Sequence, residues 1–272
     1  MVRAMDAPAP DRPDEHPDFV SRRQFLWLAG GVGLACAVGA CSSQQRPPTG
    51  PRPPSPNLAA TATDVSLTAP PPTTPSIASA QLLCRDAWGA RPARSGGKPH
   101  SITRMTLHHE AVVLGDNRNA PSHFRQDQRY HQDQLGWVDI AYHVGVDRNG
   151  NVYELRSPKI AGDTATTYDT TGHFLVLCEG DFDKEAVSEA QLDGAALAFA
   201  WAAQTFGIAT STLAGHRDLA QTSCPGANLY ARVSSGDLKR RIDEQLAGGT
   251  VDLRLFCGPD ATARVAAIEA GN

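Results

Sequence analysis

Phe174–Cys178 reads F-L-V-L-C, and Ser188–Gly207 reads S-E-A-Q-L-D-G-A-A-L-A-F-A-W-A-A-Q-T-F-G. The first is a short unbroken apolar run, the pattern of a central buried strand. The second predicts a helix over 188–206. Ser188 and Gln191 stand as a capping box. Leu192, Phe199, Ala203 and Phe206 line one face, and Gly207 sits where a glycine cap ends a helix. Upstream, Thr103–Leu107 is β-prone and runs into His108 and His109. Pro121–Leu135 carries Phe124, His131 and Leu135 at helical spacing. Ala141–Leu155 predicts a hairpin, with arms A-Y-H-V-G-V and V-Y-E-L joined through Asn149-Gly150, a strong tight-turn signal. Downstream, Ser235–Leu246 predicts a last helix, with Leu238, Ile242 and Leu246 on one side. Strands and helices alternate, so the expected fold class is α/β, a central mixed β-sheet flanked by helices. There are no internal repeats.

The chain has 272 residues, enough for one domain of ordinary size plus extensions. Its formal net charge is -4, with no basic stripe of the kind that binds nucleic acid. The extensions lie at the start. Ser21–Leu26 reads S-R-R-Q-F-L, and an apolar run follows from Trp27 to Ala40, interrupted by glycines. At about 14 residues it is shorter than the roughly 20 that a spanning helix needs. A short buried helix is the bland reading. Paired arginines before the run and small residues at its end are instead features of a cleavable export signal, and Arg22-Arg23 with Phe25-Leu26 resembles the twin-arginine motif. The run closes on V-G-A-C at Val38–Cys41, which resembles a bacterial lipobox with Cys41 as the lipidated residue; the alternative is simple cleavage near Ala40 and secretion. Two acyl chains suffice for stable anchoring.

Residues 42–80 are rich in Pro, Ser, Thr and Ala, as in R-P-P-T-G-P-R-P-P-S-P. They lack the apolar periodicity of a core and are read as a disordered linker. Where polyproline-like, such a linker reaches on the order of 100 Å. The expected division is a signal with lipobox over 1–41, the linker over 42–80, a folded domain over 81–257 and a C-terminal tail over 258–272.

Three segments of the folded part carry chemistry. They are T-L-H-H-E-A with His108 and His109, W-V-D-I-A-Y-H-V with Tyr142, and G-H-R-D-L-A-Q-T-S-C-P-G with His216, Thr222 and Cys224. Alone each is weak. A lone His at a strand end is more often a surface or core residue than a ligand, and a lone Cys in an exported protein is more often disulfide-bonded. Together, two imidazoles and a thiolate meet the ligand preference of zinc and leave a fourth position for water, the pattern of a catalytic site. Zinc brings such a water's pKa near 7 and polarises an amide carbonyl.

W-G-A-R-P at Trp88–Pro92, H-H at His108-His109, W-V-D-I-A-Y-H, D-R-N-G-N-V-Y-E and G-H-R-D…T-S-C-P-G…L-Y resemble the peptidoglycan recognition protein and N-acetylmuramoyl-L-alanine amidase type 2 family. The match runs from about Leu83 to Val233, with the motifs in family order. The resemblance implies a single zinc-amidase domain with one zinc (Zn2+) in an open cleft. By position it assigns the ligands to His108, His216 and Cys224 and leaves His109 unassigned. It places Tyr142 beside the metal, orienting water or stabilising the tetrahedral intermediate. Thr222 falls where catalytic recognition proteins carry Thr, and a hydroxyl there can hydrogen-bond a developing oxyanion. One departure stands out. Relatives often carry Gly-x-His between the hairpin and the buried strand, and this chain has A-G-D-T-A-T-T-Y-D at Ala161–Asp169. An altered wall of the stem-peptide groove is expected.

Six cysteines are present. Cys36 lies in the signal, Cys41 in the lipobox, and Cys224 is a ligand. Cys178 sits in an apolar strand and is expected to be a buried thiol. Cys84 and Cys257 remain, at opposite ends of the folded region, where an exported domain can staple its ends. The expected function is a zinc-dependent N-acetylmuramoyl-L-alanine amidase acting on peptidoglycan, exported, membrane-associated through a lipid anchor at Cys41, and monomeric. The alternatives are a non-catalytic peptidoglycan-binding lipoprotein and a zinc peptidase cutting within the stem peptide.

Overall fold

The computed structural model describes residues 78–272. The signal, the lipobox and all but the last three residues assigned to the linker lie outside this range. Seven strands form one sheet: β1 (Ala78–Leu83), β2 (Arg104–His109), β3 (Val144–Val146), β4 (Val152–Glu154), β5 (His173–Cys178), β6 (Leu213–Gly215) and β7 (Val251–Phe256). Their spatial order is β6-β2-β5-β3-β4-β1-β7. Neighbours are parallel except β3 and β4, which pair antiparallel. The sheet therefore has two halves running in opposite directions, joined at the β3-β4 hairpin. The helices are α1 (Ala120–Asp133), α2 (Glu189–Phe206), α3 (Ala227–Ser234), α4 (Asp237–Ala247) and α5 (Pro259–Glu269). This is the mixed sheet with flanking helices that the alternation of elements implies.

β5 is buried at every position, as its unbroken apolar run requires. α2 follows with the expected ends. Ser188 accepts a hydrogen bond from the Gln191 backbone at 3.1 Å, and Gly207 closes the helix at φ 65°. The reciprocal half of the capping box is absent, because the Gln191 side chain donates instead to Val146 O and Glu179 O. It thereby ties the helix start to the ends of β3 and β5. α2 and α4 cover one face of the sheet through Leu192, Phe199, Leu238 and Ile242, packed on Met105, Leu107 and Phe174. Burying one such side chain stabilises the fold by roughly 1.5–3 kcal/mol. α1 and α5 contribute Phe124, Val265 and Ile268 to the opposite face, with Trp88 and Leu177.

In the hairpin, Gly150 N donates to Asp147 O at 3.0 Å, and Gly150 has φ 81°. The turn is the three-residue kind that ends in a left-handed glycine. Asp147 completes it by accepting from the backbones of Asn149 and Asn151 and from the Tyr153 hydroxyl.

Two boundaries differ from expectation. Residues 78–80 belong to β1 rather than to a linker, because β1 pairs along its whole length with β7. Residues 258–272 do not form a tail. Pro259 opens α5, and Ala261, Val265 and Ile268 are buried at successive turns. The pair β1-β7 ends side by side, Leu83 opposite Phe256, so the residues that follow are neighbours. They are Cys84 and Cys257, joined as a disulfide across 173 residues of sequence. Cys178 is free and buried.

Candidate metal centre and cleft

β2 and β6 are adjacent and parallel, with Leu107 opposite Gly215. His108 and His216, the next residue of each, therefore emerge together at the carboxyl ends of these strands, where open α/β sheets place their ligands. Side chains alternate along a strand, so the His-His pair divides. His109 faces the α2 side, where its Nδ1 accepts from Phe182 N at 3.2 Å and its ring stacks on Phe182. His108 faces the α1 side, its ring centroid 4.7 Å from that of His216.

After β6 the chain turns back to Cys224. Gly226 makes this return possible. It has φ 85°, and a Cβ there would meet the Phe182 backbone at 2.6 Å. Cys224 Sγ lies 3.7 Å from His108 Nδ1 and accepts the His109 N–H at 3.4 Å. The donor atoms of His108, His216 and Cys224 all fall within 4.8 Å of one another, and all three residues are buried.

Burial, followed by the facing His216 ring, holds His108 well below the usual imidazole range. Burial likewise lowers His216 to about 4. Burial pushes the Cys224 thiol up to about 12. Two neutral imidazoles with available lone pairs, and a thiol that loses its proton only to a strong partner, form a donor set suited to a metal. The set fits zinc: N, N and S donors, with room for a fourth ligand.

Tyr142 packs its ring 5.1 Å from that of His108. Burial, then the nearby Asp127 and Cys224, push its hydroxyl well above the usual phenol range. The group stays protonated at neutral pH and remains a donor. The segment carrying it is pinned from three sides. His131 Nδ1 accepts from Ala141 N at 3.2 Å. His143 Nδ1 accepts from Leu175 N at 2.9 Å, which leaves the Nε2 proton to donate to Ile160 O at 3.1 Å. The buried Arg156 guanidinium donates to Asp139 O, Ile140 O and Ala161 O and pairs with Asp163. Thr222 Oγ1 accepts from Cys224 N at 3.2 Å, which orders the ligand loop and leaves the hydroxyl proton free to donate.

The structure thus brings His108, His216 and Cys224 together, with Tyr142 against His108 and Thr222 in the ligand loop. It adds two residues absent from the sequence reading. Thr166 Oγ1 lies 2.8 Å from His216 Nε2, and Tyr168 Oη lies 3.3 Å from His108 Nε2. Both come from the 161–169 segment where the family's Gly-x-His is missing, so this segment reaches the imidazoles themselves. The one sequence signal was that departure.

Residues 98–227 match the N-acetylmuramoyl-L-alanine amidase family. The chain is 32% identical over 167 residues to peptidoglycan-recognition protein LB of Drosophila melanogaster, covering 58% of this chain and 70% of that protein. It is also 32% identical over 183 residues to an N-acetylmuramoyl-L-alanine amidase of Sus scrofa, covering 58% of this chain but only 30% of that protein. Among solved structures, a mutant of Drosophila peptidoglycan-recognition protein LB in complex with tracheal cytotoxin matches with a TM-score of 0.51 at 29% identity, covering 57% and 93% of the two chains. The chain belongs to this family of amidases and peptidoglycan-recognition proteins.

Proposed function

We propose that the chain is a zinc-dependent N-acetylmuramoyl-L-alanine amidase, which hydrolyses the amide between N-acetylmuramic acid and L-alanine of peptidoglycan. The observation that carries this reading is the convergence of the His108, His216 and Cys224 donors within 4.8 Å. Recognition without hydrolysis does not require a three-ligand cluster that leaves a position open for water. The three residues hold the metal, which when bound supplies Lewis acidity toward the amide carbonyl and water. The Tyr142 hydroxyl, kept protonated by its buried setting, donates to the oxygen on which charge develops. The Thr222 hydroxyl gives a second, weaker donor. Thr166 and Tyr168 steady the His216 and His108 rings, as groups behind metal ligands commonly do.

Mass spectrometry of muropeptides incubated with the purified chain tests the reading. Free stem peptides beginning with L-alanine, beside unsubstituted glycan, are expected. Intact muropeptides would leave a binding module, and cuts inside the stem would make the chain a peptidase. In the same assay Tyr142→Phe keeps its metal but slows by roughly a hundred- to thousandfold, the effect of removing one donor to a developing oxyanion. Thr222→Val follows with a smaller loss. A Tyr142→Phe rate equal to wild type at full metal content would remove the tyrosine from the mechanism.

We also propose that Arg22-Arg23 directs export and that Cys41 anchors the protein as a monomeric lipoprotein, the Pro-rich segment serving as its tether. The sequence motifs support this. Among the described residues no helix is long and apolar enough to cross a membrane. Cys41→Ala is expected to move the protein from the membrane fraction to the soluble one, and unchanged retention would show the V-G-A-C match to be accidental.

A further inference from the structure

A second cluster lies beside the cleft, and nothing in the proposed reaction uses it. Glu110 follows the end of β2, Glu179 follows the end of β5, and His123 stands in the first half of α1. One donor atom from each lies within 4.8 Å of the other two. The three side chains are nearly closed to solvent, at 8%, 0% and 14% exposure for Glu110, Glu179 and His123. His123 Nδ1 is 3.1 Å from Glu110 Oε2 and 3.3 Å from Glu179 Oε2.

A single ring nitrogen carries one proton and satisfies one carboxylate. It is bonded to Glu110. Both oxygens of Glu179 are left buried without a hydrogen-bond partner. Glu179 is a fully enclosed carboxyl directed into the cluster, and besides the His123 ring its close polar neighbour is Glu110, which can serve it only by sharing a proton. An unpaired buried carboxylate costs several kcal/mol, and the neighbourhood makes this worse. Asp127, one turn along α1 from His123, and Glu110 both press on the same space. Neither Glu110, His123 nor Glu179 has a Lys or Arg among its ion pairs.

The spacing fits a cation. Zinc bonds of about 2.0–2.2 Å to oxygen and nitrogen place neighbouring tetrahedral ligands about 3.3–3.6 Å apart, close to the separations seen. Two carboxylates with one imidazole favour a divalent transition ion over calcium or magnesium, which prefer oxygen alone. We propose that Glu110, His123 and Glu179 form a second metal site, distinct from the cluster of His108, His216 and Cys224, that binds a divalent transition cation. The ion ties the carboxyl ends of β2 and β5 to α1, next to the strand that presents His108.

The test is the zinc content of the purified full chain, stripped with chelator, reloaded with Zn2+ alone and freed of excess by gel filtration. Wild type is expected to retain two equivalents. Glu179→Gln and His123→Gln are each expected to retain one, with affinity for the second equivalent weakened by more than about a hundredfold. Cys224→Ser is expected to retain one as well, and its melting temperature to rise on adding Zn2+, since a ligand that binds only the folded state stabilises it. Glu179→Gln keeps the shape of a carboxyl that burial and Glu110 hold protonated in the metal-free chain and so remains folded, and His123→Gln provides an independent second variant. A wild-type chain holding a single equivalent that Cys224→Ser loses would overturn the second site and leave the first standing. Two equivalents in both Glu179→Gln and His123→Gln would overturn it equally. A single equivalent lost in Glu179→Gln but kept in Cys224→Ser would instead support this site and sink the zinc assignment above.

Discussion

On the proposed reading, Cys224→Ser is expected to lose the metal of the cleft and hydrolytic activity together. The substitution changes one atom, but it replaces a soft ligand with a hydroxyl that zinc holds poorly. Substitutions behind a metal ligand already cost 10–100-fold in affinity or activity, so loss of the ligand itself is expected to exceed about a hundredfold in each. Local rescue is unavailable. The nearest acid in the loop, Asp218, is occupied by Gly215 N at 2.8 Å and by the Tyr230 hydroxyl at 2.5 Å. The smaller serine fits the space, because the contacts of Cys224 Sγ to His109 N, His109 O and His108 Nδ1 are all 3.4 Å or longer, and the fold is retained. Zinc content of the cleft and rate of stem-peptide release, measured on the same preparation, decide the matter. Normal hydrolysis by Cys224→Ser at full metal content would show that another group is the third ligand.

Breaking the Cys84–Cys257 bridge is the second large effect. A cross-link spanning 173 residues restricts the unfolded chain by about 5 kcal/mol on the chain-entropy measure. That is comparable to the whole stability of a modest domain, about 5–15 kcal/mol. The bridge also acts where packing is thin. β7 is an edge strand, and Leu255 on it is 61% exposed. Cys257→Ala, or Cys84→Ala, is therefore expected to lower the melting temperature strongly while leaving the metal ligands in place. The variants should match wild-type protein kept reduced. A melting temperature equal to that of the oxidised wild type would show that the bridge contributes nothing to stability.

The elements that the sequence made legible are those whose local signals agree with their tertiary setting. F-L-V-L-C reads as buried because β5 lies between β2 and β3. Helix α2 could be bounded to the residue because Ser188 and Gly207 mark its ends. β7 and α5 escaped although their signals were present. V-D-L-R-L-F alternates, and Gly258-Pro259 opens a helix with Ala261, Val265 and Ile268 on one side. Their apolar face is narrow, and only pairing with β1 and packing near Trp88 give it meaning. The convergence of His108, His216 and Cys224 was legible through their motifs. Alternation along β2 then explains why His108, not His109, faces the cleft. Thr166 and Tyr168 were not legible, because they meet imidazoles 50 and 60 residues away. Glu110, His123 and Glu179 meet only through the end of a strand, a helix and the end of another strand. No spacing in the chain records such encounters.

The opposed halves of the sheet have a consequence for thiol chemistry. Cys224 lies at the carboxyl ends of β2 and β6, whereas Cys84 and Cys257 follow the carboxyl ends of β1 and β7. Those strands run the other way, so the bridge lies at the far end of the sheet. It is also four strands across from β2, about 19 Å at roughly 4.8 Å per strand. Exchange between a thiolate and a disulfide needs direct attack on sulfur, and this separation forbids it in the folded state. Cys178, enclosed in β5 on the face opposite His108, is shielded from both. An oxidant can therefore close the bridge without scrambling it against the free thiol of Cys224.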